Sequence, residues 1–356
     1  MSETLPLVTI LIATKDRASD LRVTLREMRK QRYPLTELLV IDDGSKVPVE
    51  PLVREAWPGA SVIRHEKSAG QCARRNEGFA HANGEYILQL DDDCSLTCPE
   101  DLAYAIDQMR RRPEAGAIAC YIVNSAVLPA NIETSNLQSG CVASFVGAAV
   151  LFRKSAVQQT EGYRAFFGNE WEEEELALQL LGRGWQIVFL PRIVAHHRLS
   201  LLNRNTARTW MRGLRNRLWA VIIHIPFWRL PFEIGWKMTV GAWDAVRLMR
   251  PGRFLRALLE ASAGVPRAWS LRRPLSPKGL NRYDALRLRP FLTPAEFDLP
   301  PEVTFAAFSA FWRRWRNRAR NRSLWEREPG DTGRSYTVAY AHEERFVNAP
   351  PTADGK

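Results

Sequence analysis

The sequence predicts an α/β fold: a Rossmann-like, mixed but mostly parallel sheet with flanking helices, followed by a mainly helical basic C-terminal region. Three observations carry that expectation. Short apolar strand patterns alternate with amphipathic helical ones between Leu7 and Leu190, which implies βαβ units and a covered parallel sheet. Two of those strands stop at aspartate clusters, Asp42-Asp43 and Asp91-Asp92-Asp93, at the carboxyl ends where such sheets bind ligands. The charge is also divided: Met1–His197 carries 21 Lys+Arg against 26 Asp+Glu, and the remainder carries 29 against 13.

The elements follow in order. Leu7–Ala13 is a β-branched apolar run suited to a buried strand. A helix is expected from Ala18 to about Gln31, with Leu21, Leu25 and Met28 on one face. Leu38–Ile41 is a strand halted by Asp42-Asp43-Gly44, Ser61–Ile63 a third, Gln71–Ala82 a helix and Tyr86–Leu90 a strand. After Pro99 a helix runs to about Arg112, then Gly116–Val123 reads as a strand and Val142–Phe152 as an apolar, glycine-containing stretch. Glu172–Leu181 is a helix, and Gln186–Leu190 a strand closed by Pro191. Arg204–Met249 has helical periodicity interrupted at Pro226 and Pro231. From about Asp331 the chain is polar, and Asn348–Lys356 has the composition of a disordered tail. The expected organisation is therefore 1–200, 201–330 and a tail over 331–356.

Composition narrows the class. With 46% hydrophobic and 25% charged residues, the 356-residue chain is an ordinary folded protein. Its net charge of +11 sits in the second half, which suits an anionic surface: membrane, nucleic acid or phosphorylated substrate. Five cysteines without framework spacing exclude a disulfide scaffold, and Cys94 and Cys98 lack a second pair to make a zinc site. Met1–Pro6 has no basic, apolar leader pattern. The most apolar stretch, Leu218–Trp228, is far short of the roughly 18 residues of a spanning helix. A cytoplasmic location is expected.

Five stretches carry candidate chemistry. Asp42-Asp43-Gly44-Ser45 ends a strand; a carboxylate there can accept from a nucleobase or ribose, although a solvated Asp-Gly turn has the same pattern. In Asp91-Asp92-Asp93 the first and third acids share one side if the segment stays extended, and paired hard oxygens suit Mg²⁺ or Mn²⁺ completed by phosphates. Gly70–Gly78 contains Arg74-Arg75-Asn76, placed to meet phosphates or merely solvent. Glu172-Glu173-Glu174-Glu175 opens a helix whose apolar face includes Leu176 and Leu180; it is either a solvated first turn or the source of a general base. Finally, Ile193, Ala195 and His197 share one strand face and His196 takes the other. A histidine there completes a metal shell, contacts phosphate or is structural.

In this order the stretches resemble family 2 glycosyltransferases of the GT-A fold. Thr14-Lys15-Asp16-Arg17 is similar to the family's first turn, Asp42–Ser45 to its Asp-Asp-Gly-Ser strand end, and Gly70, Arg75, Asn76 and Gly78 to its Gly-x₄-Arg-Asn-x-Gly helix. Ala82-Asn83-Gly84-Glu85-Tyr86-Ile87 resembles the approach to its Asp-x-Asp motif, here Asp91-Asp92-Asp93. Gly162-Tyr163 resembles its Gly-Phe pair, Glu172-Glu173 falls on its Glu-Asp catalytic pair, and Gly184–Val188 with Pro191–His197 resembles its closing strand and histidine. The resemblance spans about Leu7–His197. One departure is Glu173 where the family has aspartate, which leaves the base open among Glu172, Glu173 and Glu174.

The resemblance implies inverting, metal-dependent transfer from a UDP-, dTDP- or GDP-sugar to a saccharide or lipid-linked acceptor in cell-surface polysaccharide or glycolipid biosynthesis. Thr14, Lys15, Asp16, Arg17, Asp42, Gly70, Arg75, Asn76 and Asp92 are then expected at the donor, and Asp91, Asp93 and His197 at a Mg²⁺ or Mn²⁺ ion. Glu173, or Glu172, takes the acceptor proton. Trp210, Trp219, Trp228, Trp236 and Trp243 lie among arginines, a mixture suited to peripheral association with the inner face of the plasma membrane or to a helical subdomain packed on the α/β core. Two rival readings remain: a nucleotidyltransferase on a related sheet, and nucleic-acid binding through Arg313-Arg314-Trp315-Arg316 and Arg318, Arg320 and Arg322. No recognised nucleic-acid module accompanies those arginines.

Overall fold

A computed structural model describes residues 4–198, 206–247, 251–289, 291–298 and 336–338. The first half is built from β1 (Val8–Thr14), α1 (Ala18–Met28), β2 (Thr36–Asp42), α2 (Glu50–Ala56), β3 (Ser61–Arg64), α3 (Gln71–His81), β4 (Tyr86–Asp91), β5 (Cys94–Leu96), α4 (Asp101–Arg110), β6 (Ala115–Asn124), β7 (Gly140–Cys141), β8 (Ala149–Arg153), α5 (Lys154–Val157), α6 (Glu172–Arg183) and β9 (Gln186–His197). The second half gives α7 (Thr206–His224), α8 (Leu230–Arg247), α9 (Pro251–Ala263), α10 (Val265–Ser270), α11 (Pro277–Leu288) and β10 (Tyr336–Val338). Arg313–Arg322 and most of the expected 331–356 tail lie outside the described residues.

The strands form one sheet in the order β3-β2-β1-β4-β8-β6-β9-β5. Strands β1, β2, β3 and β4 run parallel, β8 is antiparallel to both β4 and β6, and β6 runs parallel to β9. The mixed, mostly parallel sheet is thus as the residue pattern implied. Alternation along β1 shows why both faces are covered. Val8, Ile10 and Ile12 enter a core with Leu21, Leu25 and Met28 of α1 and Ile106 of α4, while Leu11 enters the opposite core with Phe79 of α3 and Leu176 and Leu180 of α6.

Two sequence expectations need correction. Pro191 does not close the last strand. The pairing of β6 with β9 jumps from Cys120–Leu190 to Tyr121–Val194, so the proline sits in a bulge, where its missing N–H is tolerated. The strand therefore continues to His197, and β5 pairs Cys94 opposite it. Nor does Pro231 interrupt a helix. Pro226 does, but Pro231 lies in the first turn of α8, where no intrahelical donor is needed.

The helical region packs onto the sheet domain. Trp219, Ile222 and Ile223 of α7 bury against Phe167 and Leu178, while Ala285, Leu286, Leu292 and Phe297 join the core beside α6. Trp219 is buried, Trp236 half-buried, and Trp228 and Trp243 exposed. No described helix is long and apolar enough to cross a membrane.

At Gly84, before β4, an added Cβ would lie 2.5 Å from the Thr9 backbone N and 2.7 Å from the Tyr86 carbonyl O. Backbone on both sides cannot yield as a side chain would. Gly84→Ala is expected to lower unfolding free energy by about 1–3 kcal/mol, measured as a lower denaturant midpoint at unchanged slope.

Candidate active site

Thr14, Asp42, Asp91, Asn124 and His197 are the final residues of β1, β2, β4, β6 and β9. Those five strands share one direction, so the residues line the carboxyl edge of the sheet, and the loops leaving it complete a cleft.

The acidic centre comes first. One ligand atom from each of Asp91, Asp93 and His197 lies within 4.8 Å of the others. Asp92 and Asp93 form a turn rather than extended chain, and the antiparallel β5 that follows brings Asp93 against His197. Asp91 Oδ1 accepts from Arg75 Nη2 at 2.6 Å, and Asp93 Oδ2 from Arg17 Nη2 at 2.6 Å. Asp92 is held apart from the metal pair: its two oxygens take Thr14 Oγ1 and Arg17 Nη1, both at 2.7 Å. Burial pushes its carboxyl up to about 7, against the pull of Arg17 and Thr14.

His197 tests whether a cation fits. Its Nδ1 lies 2.8 Å from Asn124 Oδ1, an oxygen that only accepts, so Nδ1 carries the proton. In the tautomer that carries its proton on Nδ1 alone, the Nε2 lone pair faces Asp93 Oδ1, 3.1 Å away. A lone pair facing a carboxylate oxygen in a buried site is repulsive unless a positive charge lies between them. The outer N–H held by an oxygen acceptor is also the usual arrangement of a metal-binding histidine. The three residues fit a divalent cation. Asn124→Ala is expected to weaken Mn²⁺ binding by about 10–100-fold without unfolding the chain, as measured by calorimetric titration.

Arg75 connects this centre to the glutamate run. Its side chain is 3% exposed, and its Nη1 has no hydrogen-bond partner among the described residues. Nη1 lies 3.9 Å from Glu172 Oε1 and 4.0 Å from Glu173 Oε1. Burial opposes its charge, yet neighbouring Asp91 raises the guanidinium above its ordinary value. The same balance sets the glutamates. Burial raises both Glu172 and Glu173, with Glu173 adding to the shift of Glu172 and Arg75 opposing both.

The four glutamates differ in surroundings. Glu172 is buried and accepts from Gln71 Nε2 at 2.6 Å. The Glu173 side chain remains 20% exposed, and its Oε1 comes so close to Gly147 that a Cβ there would lie 2.5 Å away. Glu174 feels Arg217 of α7 and Glu170, and burial lifts it to about 8. Glu175 is structural: Arg164 Nε, His224 Nε2 and Gln179 Nε2 surround it at 2.8, 2.7 and 2.8 Å. Burial works against its charge, but those partners hold it below the usual carboxylate range. Of the three candidate bases, Glu173 alone combines exposure with proximity to Arg75.

The remaining expected donor residues divide. Lys15 is exposed, and Asp16, at φ 55°, joins the first two loops, with its N–H on Ser45 Oγ and its Oδ1 accepting from Lys46 N. Asp42 is buried within its own turn, accepting from Ser45 N at 2.9 Å and Arg64 Nη1 at 2.8 Å. Asn76 is not presented to the cleft. Its Nδ2 donates to Tyr163 O at 2.6 Å and its Oδ1 accepts from Tyr163 N at 2.7 Å, which ties α3 to the Gly162-Tyr163 loop. Gly70, at φ 88°, starts α3 and donates its N–H to Asp43. Asn124 and Gly147 were missed in the sequence. The only signal for Asn124 was its place at the end of a parallel strand.

The sequence pattern described as Glycosyl transferase family 2 matches residues 9–164. Glycosyltransferase AglE of Haloferax volcanii is 30% identical over 100 residues, 27% of this chain and 33% of that protein. The poly-beta-1,6-N-acetyl-D-glucosamine synthase of Staphylococcus aureus is 23% identical over 202 residues, 52% of this chain and 48% of its own. The chain thus spans half or less of the length of these relatives. In three dimensions it is similar to the mannosyltransferase PcManGT from Pyrobaculum calidifontis, solved with GDP-Man and Mn²⁺, at a TM-score of 0.51 and 17% identity over 92% of this chain and 89% of that one.

Proposed function

We propose that this chain, whose residues 9–164 match glycosyl transferase family 2, is a member of that family and moves a sugar from a nucleotide-sugar donor to an acceptor hydroxyl with inversion at the anomeric carbon. The observation that carries the reading is the Asp91–Asp93–His197 cluster joined through Arg75 to Glu173. It sets a cation site and a candidate base on either side of one buried guanidinium.

Asp91, Asp93 and His197 would hold the ion, and the imidazole nitrogen favours Mn²⁺ over the strictly oxygen-seeking Mg²⁺. A divalent cation there supplies charge stabilisation to the departing nucleoside diphosphate. Arg75 Nη1, which makes no hydrogen bond among the described residues, would add a fixed donor to the same developing charge. Thr14, Lys15, Asp16 and Arg17 frame the nucleoside end. Glu173 Oε1 takes the acceptor proton as the hydroxyl oxygen bonds to the anomeric carbon and the sugar–phosphate bond breaks. The charge on that carbon has oxocarbenium character, as in other glycosyl transfers.

The acceptor end is inferred from the helical region. Phe232, Trp243 and Val246 form an exposed stripe on α8; Phe227 and Trp228 before it and Leu255 and Leu259 of α9 are exposed as well, as are Arg256 and Arg267. Such a surface suits peripheral binding to an anionic bilayer, close to a lipid-linked acceptor in surface-polysaccharide synthesis.

The test is donor binding and hydrolysis across UDP-, GDP-, dTDP- and CMP-sugars with Mn²⁺ or Mg²⁺. Metal-dependent binding and turnover of one donor supports the reading; no binding under any metal condition overturns it. Release of pyrophosphate from nucleoside triphosphates would favour nucleotidyl transfer instead. Flotation with anionic but not zwitterionic vesicles, reduced in Trp228→Ser/Phe232→Ser, tests the membrane surface.

A further inference from the structure

The loop that delivers the glutamates has an uncommon backbone. Glu170 and Trp171 lie in the left-handed region at φ 76° and 68°, and Trp171 is the residue from which α6 begins. A left-handed residue other than glycine is disfavoured by about 1–2 kcal/mol. Two in succession, immediately before Glu172 and Glu173, persist only where the surroundings over-determine them.

The surroundings come from α7. Asn216 is fully buried, and its Nδ2 faces three carbonyl oxygens of the loop: Phe167 at 3.0 Å, Asn169 at 3.2 Å and Glu170 at 2.5 Å. Its Oδ1 accepts from Arg215 Nε at 2.9 Å, which fixes which end of the amide faces the loop. Arg215 Nη2 donates to Phe167 O at 3.0 Å as well. On the same helix, an added Cβ at Gly213 would stand 3.9 Å from Trp171 Cδ1, and the Arg217 guanidinium lies over the Trp171 ring at 4.6 Å. Gly213, Asn216 and Arg217 share one face of α7.

The geometry points to Asn216 as a positioning residue for the transfer reaction: it holds the left-handed Glu170-Trp171 turn and so aims Glu173. The helical region thereby completes the active site from behind. This rests on the reading of Glu173 as the base. Asn216 touches neither the ion cluster nor the Thr14–Arg17 turn, so its effect separates from donor binding.

The experiment compares Asn216→Asp with wild type. The substitution conserves shape but replaces the donor with an oxygen that repels the three carbonyls. Turnover is expected to fall about 10²-fold, the scale of a 1 Å misplacement, with the donor dissociation constant and Mn²⁺ affinity within threefold of wild type. Glu170→Gly in that background removes one left-handed penalty and is expected to recover at least threefold in turnover. Amide hydrogen exchange over residues 168–175 reads the clamp without any donor and should accelerate at least tenfold in Asn216→Asp. Unchanged exchange in a folded variant, or turnover and donor affinity falling together, would overturn the assignment. Accelerated exchange in a protein that turns over no donor upholds the clamp and removes the glycosyl-transfer reading instead.

Discussion

Glu173→Gln should abolish most transfer, lowering kcat by about 10²–10⁴, while donor and Mn²⁺ still bind near their wild-type affinities. The amide preserves size and one oxygen but cannot take a proton. Its neighbours tolerate the change, because Arg75 keeps its bond to Asp91 and loses only a 4.0 Å contact with Glu173. Asp91, at 2.6 Å, remains as the counter-ion of the buried guanidinium. The pH profile gives a second readout. Burial raises the Glu173 carboxyl above its ordinary value, so its basic form grows as pH rises through that titration, and kcat should rise with it. In Glu173→Gln that rising limb should vanish. Comparison with Glu172→Gln and Glu174→Gln decides among the three: Glu174 feels Arg217 rather than Arg75, and its substitution should change kcat by less than the Glu173 variant. A Glu173→Gln enzyme with wild-type turnover would remove this residue from the chemistry.

The sheet and its carboxyl edge were legible in the sequence because short continuous apolar runs are local signals and strand ends coincide with the aspartates. Asp91 and Asp93 share one side if their segment stays extended; instead a turn into β5 brings Asp93 beside His197. That pairing depends on β9 passing Pro191, a contact between residues a hundred positions apart that periodicity cannot reveal. The same limit explains Asp42 and Asn76. Arg64 and the Tyr163 backbone engage them, and nothing local announces such partners. Tryptophans mislead in a similar way. Trp219 and Trp228 share composition and neighbourhood, yet one fills the core beside Phe167 while the other faces solvent; only packing distinguishes them.

Asp93→Ala should lose metal-dependent donor binding altogether. Asp93 is 0% exposed and stands between two partners: His197 Nε2 at 3.1 Å and Arg17 Nη2 at 2.6 Å. Truncation removes one of the three proposed ligands and leaves a cavity lined by the His197 imidazole and a guanidinium. The guanidinium retains Asp92, so the Thr14–Arg17 turn should stay attached and the fold survive. The cation site should not, because Asp91 and His197 alone offer one carboxylate and one nitrogen. The drop in Mn²⁺ affinity should exceed the about 10–100-fold expected for losing an outer partner such as Asn124, and binding of donor should become independent of added metal. Asp42→Asn provides the contrast. Its carboxylate is engaged by Ser45 and Arg64 on the next strand, so Mn²⁺ affinity should stay at wild type even if donor affinity changes. Calorimetric titration of Mn²⁺ into Asp93→Ala, Asn124→Ala and Asp42→Asn thus yields an ordered series. Equal affinities across the three would mean that the cation, if one binds, is not held by Asp91, Asp93 and His197.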